Sequence, residues 1–388
     1  VQTHRRYFAD WISTLNFTLS TKEFTYPLVA ERSKGSRFWD IDGNEYIDTA
    51  MGYGTCLFGH NPDFIKEPMQ AQLEKGIELG PQSAIAGEVA GLVNELTGCE
   101  RVAFANTGTE AIMVAIRLAR TVTKRKKIVR FVTSFHGSFD GVLADMGEHG
   151  SQPMTAGVID SMIEDTIVLQ YATDRSLKEI AAQADEIAAV LVEPVQSRKP
   201  GLQPKEYLQE LRALTEQNGI ALVFDEMVTG FRCHPGGAQH HFDVRADLVT
   251  YGKVVGGGMH IGVIAGHTRF MDAIDGGYWQ FGDASAPGAE TTFFAGTFCK
   301  HPLTMTAARA VLQRIKDEGP ALQERINGMT RAFVDRMNAY FDEMQVPITM
   351  ESFASVYRFD SGVAADMPRH SLEMNLFFRL MQLKGIFV

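Results

Sequence analysis

Between about Cys56 and Phe294, short apolar runs alternate with amphipathic helical stretches, and no other feature of the chain narrows its fold as far. Parallel strands need a long crossover between them, most simply a helix. The alternation therefore predicts an α/β fold with a mostly parallel sheet flanked by helices. Two strands stand out, at 189–194 and 221–226. Between them Tyr207, Leu208, Leu211 and Leu214 recur at helical spacing over 205–218, and Gly219 stops the run. A helix over 112–120 and a strand over 128–132 continue the rhythm.

Outside that block the pattern changes. Residues 38–48 set apolar positions alternately on both sides of Asp42-Gly43, which reads as a β-hairpin. After Pro302 helical spacing returns, as over 307–315, and a strand-like piece comes next at 355–359. We therefore expect a large lobe over 56–298, with 1–55 and 299–388 together forming a smaller α+β lobe. The start at Val1 and the stop directly after Gly385-Ile386-Phe387-Val388 read as an excised domain whose last lobe is incomplete.

A formal charge of -10 leaves no excess of Lys and Arg to neutralise phosphates, so a nucleic-acid binder is excluded, and an anionic membrane surface is disfavoured. No apolar run approaches the roughly 20 residues that span a bilayer. Cys56, Cys99, Cys233 and Cys299 are scattered, as in a reduced cytoplasmic protein. Cys233-His234 and His240-His241 lack the regular spacing of a zinc site, and we expect no metal. The run Lys124-Arg125-Lys126-Lys127 is expected to close a helix, where cations meet the dipole end and solvent.

Four elements carry chemistry. Asp225 ends an apolar strand, where ligand sites of parallel sheets lie. It suits a metal, a ribose or a protonated ring nitrogen, and equally a helix cap. Lys253 sits between apolar residues and before Gly256-Gly257-Gly258; desolvation there would make it a nucleophile, and a surface lysine before a flexible loop is the plainer alternative. Thr107 and Glu110 have capping-box spacing, while Gly108 and Thr109 offer backbone N–H groups and a hydroxyl to a phosphate. Phe135 comes after a strand and suits stacking on a planar group or the core, and His136 suits the same site or a buried hydrogen bond. Together the four meet the needs of pyridoxal 5'-phosphate, which wants a lysine for its aldehyde and an acid for its ring nitrogen.

In that order of motifs the chain resembles the class III (fold-type I) aminotransferases. The segments are 39–46, Gly59-His60-Asn61-Pro62, 106–111, 135–137, Val192-Glu193-Pro194-Val195, Phe224-Asp225-Glu226, Gly230-Phe231-Arg232 and Gly252-Lys253. The resemblance implies a seven-stranded, mostly parallel sheet and a smaller domain from both chain ends. It implies that Lys253 holds the cofactor as a Schiff base and later moves a proton, and that Asp225 pairs with the ring nitrogen. Phe135 would stack on one ring face and Met227 or Val228 on the other, with His136 and Glu193 in the cofactor site. Gly108 and Thr109 would hold the phosphate, joined by Thr297 from the partner of a homodimer. Relatives often carry Tyr at the plate, and Phe135 lacks that hydroxyl. Arg232 is expected to pair with a carboxylate as scaffolding rather than to bind substrate. Glutamate-1-semialdehyde aminomutases are a near branch. The segments 193–200, 234–239 and 291–302 resemble more closely the aminotransferase domains of hybrid polyketide–nonribosomal peptide synthases. Those move an amine from a donor such as glutamate or glutamine to a β-ketoacyl thioester on an acyl carrier protein.

Overall fold

The computed structural model describes residues 6–11, 17, 19–24, 27–148, 150–360 and 372–388. Near its start, β1 (Ala30–Lys34), β2 (Arg37–Asp40) and β3 (Glu45–Asp48) form an antiparallel ribbon. The β2–β3 turn forms because Asp40 satisfies it: its carboxylate accepts the N–H groups of Asp42 at 3.0 Å and Asn44 at 2.8 Å. The expected hairpin over 38–48 is this turn with its flanking strands.

Helices α1 (Asp63–Lys75) and α2 (Ala84–Thr97) lead into β4 (Arg101–Ala105), α3 (Gly108–Thr123) and β5 (Lys127–Phe131). A small hairpin of β6 (Ala144–Gly147) and β7 (Gly150–Pro153) precedes β8 (Thr166–Leu169). Next come α4 (Asp174–Ala182), β9 (Ile187–Val192), α5 (Lys205–Gln217), β10 (Ala221–Asp225), β11 (Leu248–Tyr251) and β12 (Gly262–Gly266). The last part holds α6 (Pro302–Glu318), α7 (Pro320–Glu343), the hairpin β13 (Thr349–Phe353) with β14 (Val356–Asp360), then α8 (Leu372–Leu383) and β15 (Ile386–Phe387).

Seven strands make the main sheet in the order β4-β12-β11-β10-β9-β5-β8. All run the same way except β12, which is antiparallel to both β11 and β4. Every residue of β9, β10, β11 and β12 is buried, as strands covered on both faces must be. Each fully buried Val, Leu or Ile there contributes about 1.5–3 kcal/mol through its removal from water. Helix α3 covers one face with Ala111, Ile112, Ala115, Ile116, Leu118 and Ala119, which repeat at the helical period. The second sheet joins both chain ends: β15 pairs in parallel with β3, so the order is β1-β2-β3-β15.

The basic run over 124–127 departs from expectation. Lys124 ends α3 in a left-handed conformation (φ +61°), but Lys127 already belongs to β5. Arg125 turns inward, donating to the carbonyls of Asn218 at 2.9 Å and Ile187 at 3.3 Å. Chain carbonyls, rather than the helix dipole and solvent, take that charge. Among the described residues no helix is long and apolar enough to cross a membrane.

Candidate active site

Five strands deliver residues to one edge of the main sheet. β4, β5, β9, β10 and β11 point their carboxyl ends the same way, and the segments leaving those ends are 106–109, 133–138, 193–197, 225–228 and 252–253. A crevice outside those ends is where an open α/β sheet binds ligands.

Asp225 is the last residue of β10 and is buried. One of its oxygens lies 2.7 Å from His136 Nδ1, and the other accepts the Met227 N–H at 3.1 Å. Two such partners offset the desolvation of a carboxylate held in the core. His136 Nε2 is also buried and has no hydrogen-bond partner among the described residues. Lys253 opens a short 3-10 turn directly after β11, with φ +42°, a left-handed conformation rare for a side-chain-bearing residue. Burial pushes its amine below the usual lysine range, and Arg232 adds to that, while the carboxylates of Asp225 and Glu193 oppose it.

The turn before α3 has the expected cap. The Thr107 hydroxyl accepts the Glu110 N–H at 3.2 Å, whereas the Glu110 carboxylate reaches one residue further back, to the Asn106 N–H at 2.8 Å. Thr109 Oγ1 accepts the Ser138 N–H at 3.2 Å, which ties this turn to the loop of Phe135 and His136. Gly137 has φ +85°, and a Cβ there would come 2.9 Å from Thr109 Cα, so only glycine lets the two loops meet. Met227 passes between two more glycines. A Cβ on Gly108 would approach its sulfur to 2.8 Å, and one on Gly252 to 2.7 Å.

Glu193 fixes the fourth loop. Its carboxylate accepts the N–H of Phe135 at 2.9 Å and of Ser197 at 3.3 Å, and burial raises its pKa. Phe135 itself is 52% exposed, so it is a plate with an open face rather than a core aromatic. The Arg198 guanidinium stands 5.8 Å from its ring centre. Val228 is half-buried, and its carbonyl accepts from Arg232 at 2.9 Å. Thr297 is exposed; its neighbour Gly296 abuts the Asn106 side chain, a Cβ there lying 3.2 Å from Asn106 Nδ2.

Lys253, Asp225, His136, Phe135, Glu193, Gly108, Thr109 and Met227 thus form one linked group. Sequence reasoning passed over three neighbours. Glu226 is buried and accepts the N–H groups of Ala238 at 2.6 Å and Gln239 at 3.2 Å, and its pKa rises to about 7 through burial. Arg198 reaches the plate from a turn that no periodicity marks. The turn at Met51–Gly54 is left-handed throughout, and its only trace in the sequence is the alternation Gly52-Tyr53-Gly54. His234 and His240 hold one turn: His234 Nδ1 accepts the Gly236 N–H, and His240 Nδ1 lies 3.0 Å from the Gly236 carbonyl oxygen.

These residues fit pyridoxal 5'-phosphate. The start of the 16-residue helix α3 offers N–H groups to a phosphate, the open face of Phe135 suits a planar ring, Asp225 suits a protonated ring nitrogen, and Lys253 suits an aldehyde carbon.

Comparison with known proteins agrees. Residues 18–350 match the family model described as aminotransferase class-III. A glutamate-1-semialdehyde 2,1-aminomutase of Archaeoglobus fulgidus is 34% identical over 375 residues, 94% of this chain and 86% of the relative. An omega-transaminase structure from Sphaerobacter thermophilus superposes with TM-score 0.86 at 27% identity, over all of this chain and 89% of that one. A beta-phenylalanine aminotransferase from Variovorax paradoxus gives TM-score 0.83 at 27% identity, over all of this chain and 85% of that one. The chain belongs to the class III aminotransferases, enzymes of fold type I that depend on pyridoxal 5'-phosphate.

Proposed function

We propose that this chain shifts an amine within one small substrate, as an aminomutase of the glutamate-1-semialdehyde kind. The likeness to the Archaeoglobus fulgidus aminomutase over 94% of the chain carries this reading. In it Gly108, Thr109, Phe135, His136, Glu193, Asp225, Met227, Val228 and Lys253 hold the cofactor, with Thr297 supplied by the second copy in a homodimer. When bound, the cofactor supplies an electrophilic carbon and a ring that accepts an electron pair. Asp225, fixed by His136 and the Met227 N–H, holds a proton at the ring nitrogen. Lys253, less basic than a free lysine through burial, takes and returns a proton at the substrate carbon. Phe135 and Met227 would hold the faces of the ring and exclude water from them.

A second substrate reading is favoured by the rim of the site. The segments 193–200 and 291–302, which bring Arg198 beside the Phe135 ring and hold the exposed Thr297, resemble synthase-embedded domains. The Variovorax paradoxus structure, named for a β-amino acid, supports it further. In this reading the amine goes to a β-ketoacyl thioester on an acyl carrier protein.

One experiment separates the two. The enzyme is first converted to its amine-bearing form with glutamate, then offered glutamate-1-semialdehyde or a β-ketoacyl carrier protein, and the cofactor absorbance is monitored. Recovery with the semialdehyde alone supports the aminomutase. Recovery only with the carrier-bound ketone overturns it in favour of the second reading.

A further inference from the structure

We propose that Arg232 is a positioning residue: one buried guanidinium ties the left-handed turn Met51–Gly54 and the turn at Ala354-Ser355 to the loop after Asp225. The inference rests on Lys253 being the reactive amine and not on either substrate reading.

Arg232 is 4% exposed. Its Nε donates to the Val228 carbonyl at 2.9 Å, Nη1 to the Ser355 hydroxyl at 2.7 Å, and Nη2 to the Gly54 carbonyl. These acceptors come from three distant parts of the chain, and all are neutral oxygens. Contrary to the expected ion pair, no carboxylate pairs with this guanidinium among the described residues, because neutral oxygens take its donors, so its positive charge is not cancelled locally. The loop that bears it is gripped on both sides by α7: Gln323 donates to the Phe231 carbonyl at 2.9 Å and Asn327 to the Cys233 carbonyl at 3.3 Å.

The segments that meet here are strained. Met51 (φ +47°), Gly52 (+60°), Tyr53 (+54°) and Gly54 (+85°) are consecutive left-handed residues, and Phe231 (+59°), Ala354 (+52°) and Lys253 (+42°) share that region. Such conformations persist only where surrounding contacts over-determine them, and they gather at functional sites. A Cβ on Gly54 would stand 3.1 Å from Arg232 Nη2, so turn and guanidinium are fitted to each other. The charged groups acting on Lys253 are Asp225 and Glu193, which favour its protonated form, and Arg232, which with burial opposes it.

The test uses the full chain without cofactor. Acetylation of Lys253 is measured against pH by mass spectrometry, and chymotryptic cleavage after the exposed Tyr53 reports the turn. In Arg232→Gln, which removes the charge, the acetylation midpoint should rise by about half a pH unit or more. In Arg232→Lys, which keeps the charge but loses the fork, the midpoint should stay with the wild type while cleavage after Tyr53 speeds several-fold. An unmoved midpoint in a folded Arg232→Gln, or equal shifts in both variants, overturns the electrostatic role. Unchanged cleavage in Arg232→Lys overturns the clamp. If Arg232→Gln does not fold, Ser355→Ala decides: faster cleavage with an unmoved midpoint supports the proposal, and unchanged cleavage sinks it.

Discussion

The floor of the site and its rim are built on opposite principles. At the floor, Asp225, His136 and Glu193 are buried and hold one another or the backbone at 2.7–3.3 Å. At the rim, Phe135 shows half its surface, Thr297 is exposed, and Phe293 and Phe298 in the same segment as Thr297 are uncovered. The floor therefore holds a fixed acid, Asp225, and a desolvated amine, Lys253. Substitutions at the floor should strike the rate, and those at the rim should strike binding.

The sharpest way to break that contrast is Lys253→Ala, expected to lower turnover by more than about 10³-fold while circular dichroism stays native. A variant that still turned over at the wild-type rate would remove the floor's central residue. Asp225→Ala should come next with a loss of about 10²-fold or more in kcat, read in steady-state turnover with cofactor in excess. Normal activity there would leave the ring nitrogen without its acid.

Smaller and of another kind is the effect of Glu226, which lies beneath the floor. Its folded pKa of about 7 stands above the ordinary 4.5, so between those values the folded protein holds a proton that the unfolded chain has released. That contribution to stability is complete below pH 4.5 and is lost as pH rises through about 7. Glu226→Gln should remove this fall, which differential scanning calorimetry would read as roughly a few degrees in Tm across the window. The smallest effect belongs to the rim. Phe135→Ala should weaken cofactor binding by about 2- to 10-fold, the worth of one stacked ring, with little change in kcat at saturation. A collapse in kcat would move Phe135 from rim to floor.

Much of the floor could be read in the sequence because strand ends announce themselves: Asp225 closes an apolar run, and Lys253 comes after another, ahead of three glycines. The Thr107 cap was readable for the same reason, being a short-range hydrogen bond. The features that escaped were long-range. Nothing near Arg232 reveals that its acceptors are Gly54 and Ser355, 178 and 123 residues away. The inward turn of Arg125 depends on carbonyls of Ile187 and Asn218, which only the folded sheet brings near. The pairing of β15 with β3 is equally invisible, since a two-residue strand has no period to detect. Nor does the buried run 262–266 disclose its direction, for antiparallel and parallel central strands look alike when both faces are covered.

That one reversed strand governs the order in which the molecule can be made. β4 pairs within the main sheet only with β12, which lies about 160 residues later in the chain, at 262–266. A nascent polypeptide released as far as Tyr251 has β5, β8, β9, β10 and β11 available to zip together, yet β4 has only its flanking helices and no strand to pair with in the main sheet. Contacts of such sequence separation form slowly, and intermediates that await them expose strand edges. The turn at 106–109 comes directly after β4, so the strand edge beside it is completed by residues 262–266, far along the chain. Closure of the sheet edge beside that turn therefore depends on a contact of long sequence separation, whereas the tie from Thr109 to the Ser138 N–H spans only 29 residues.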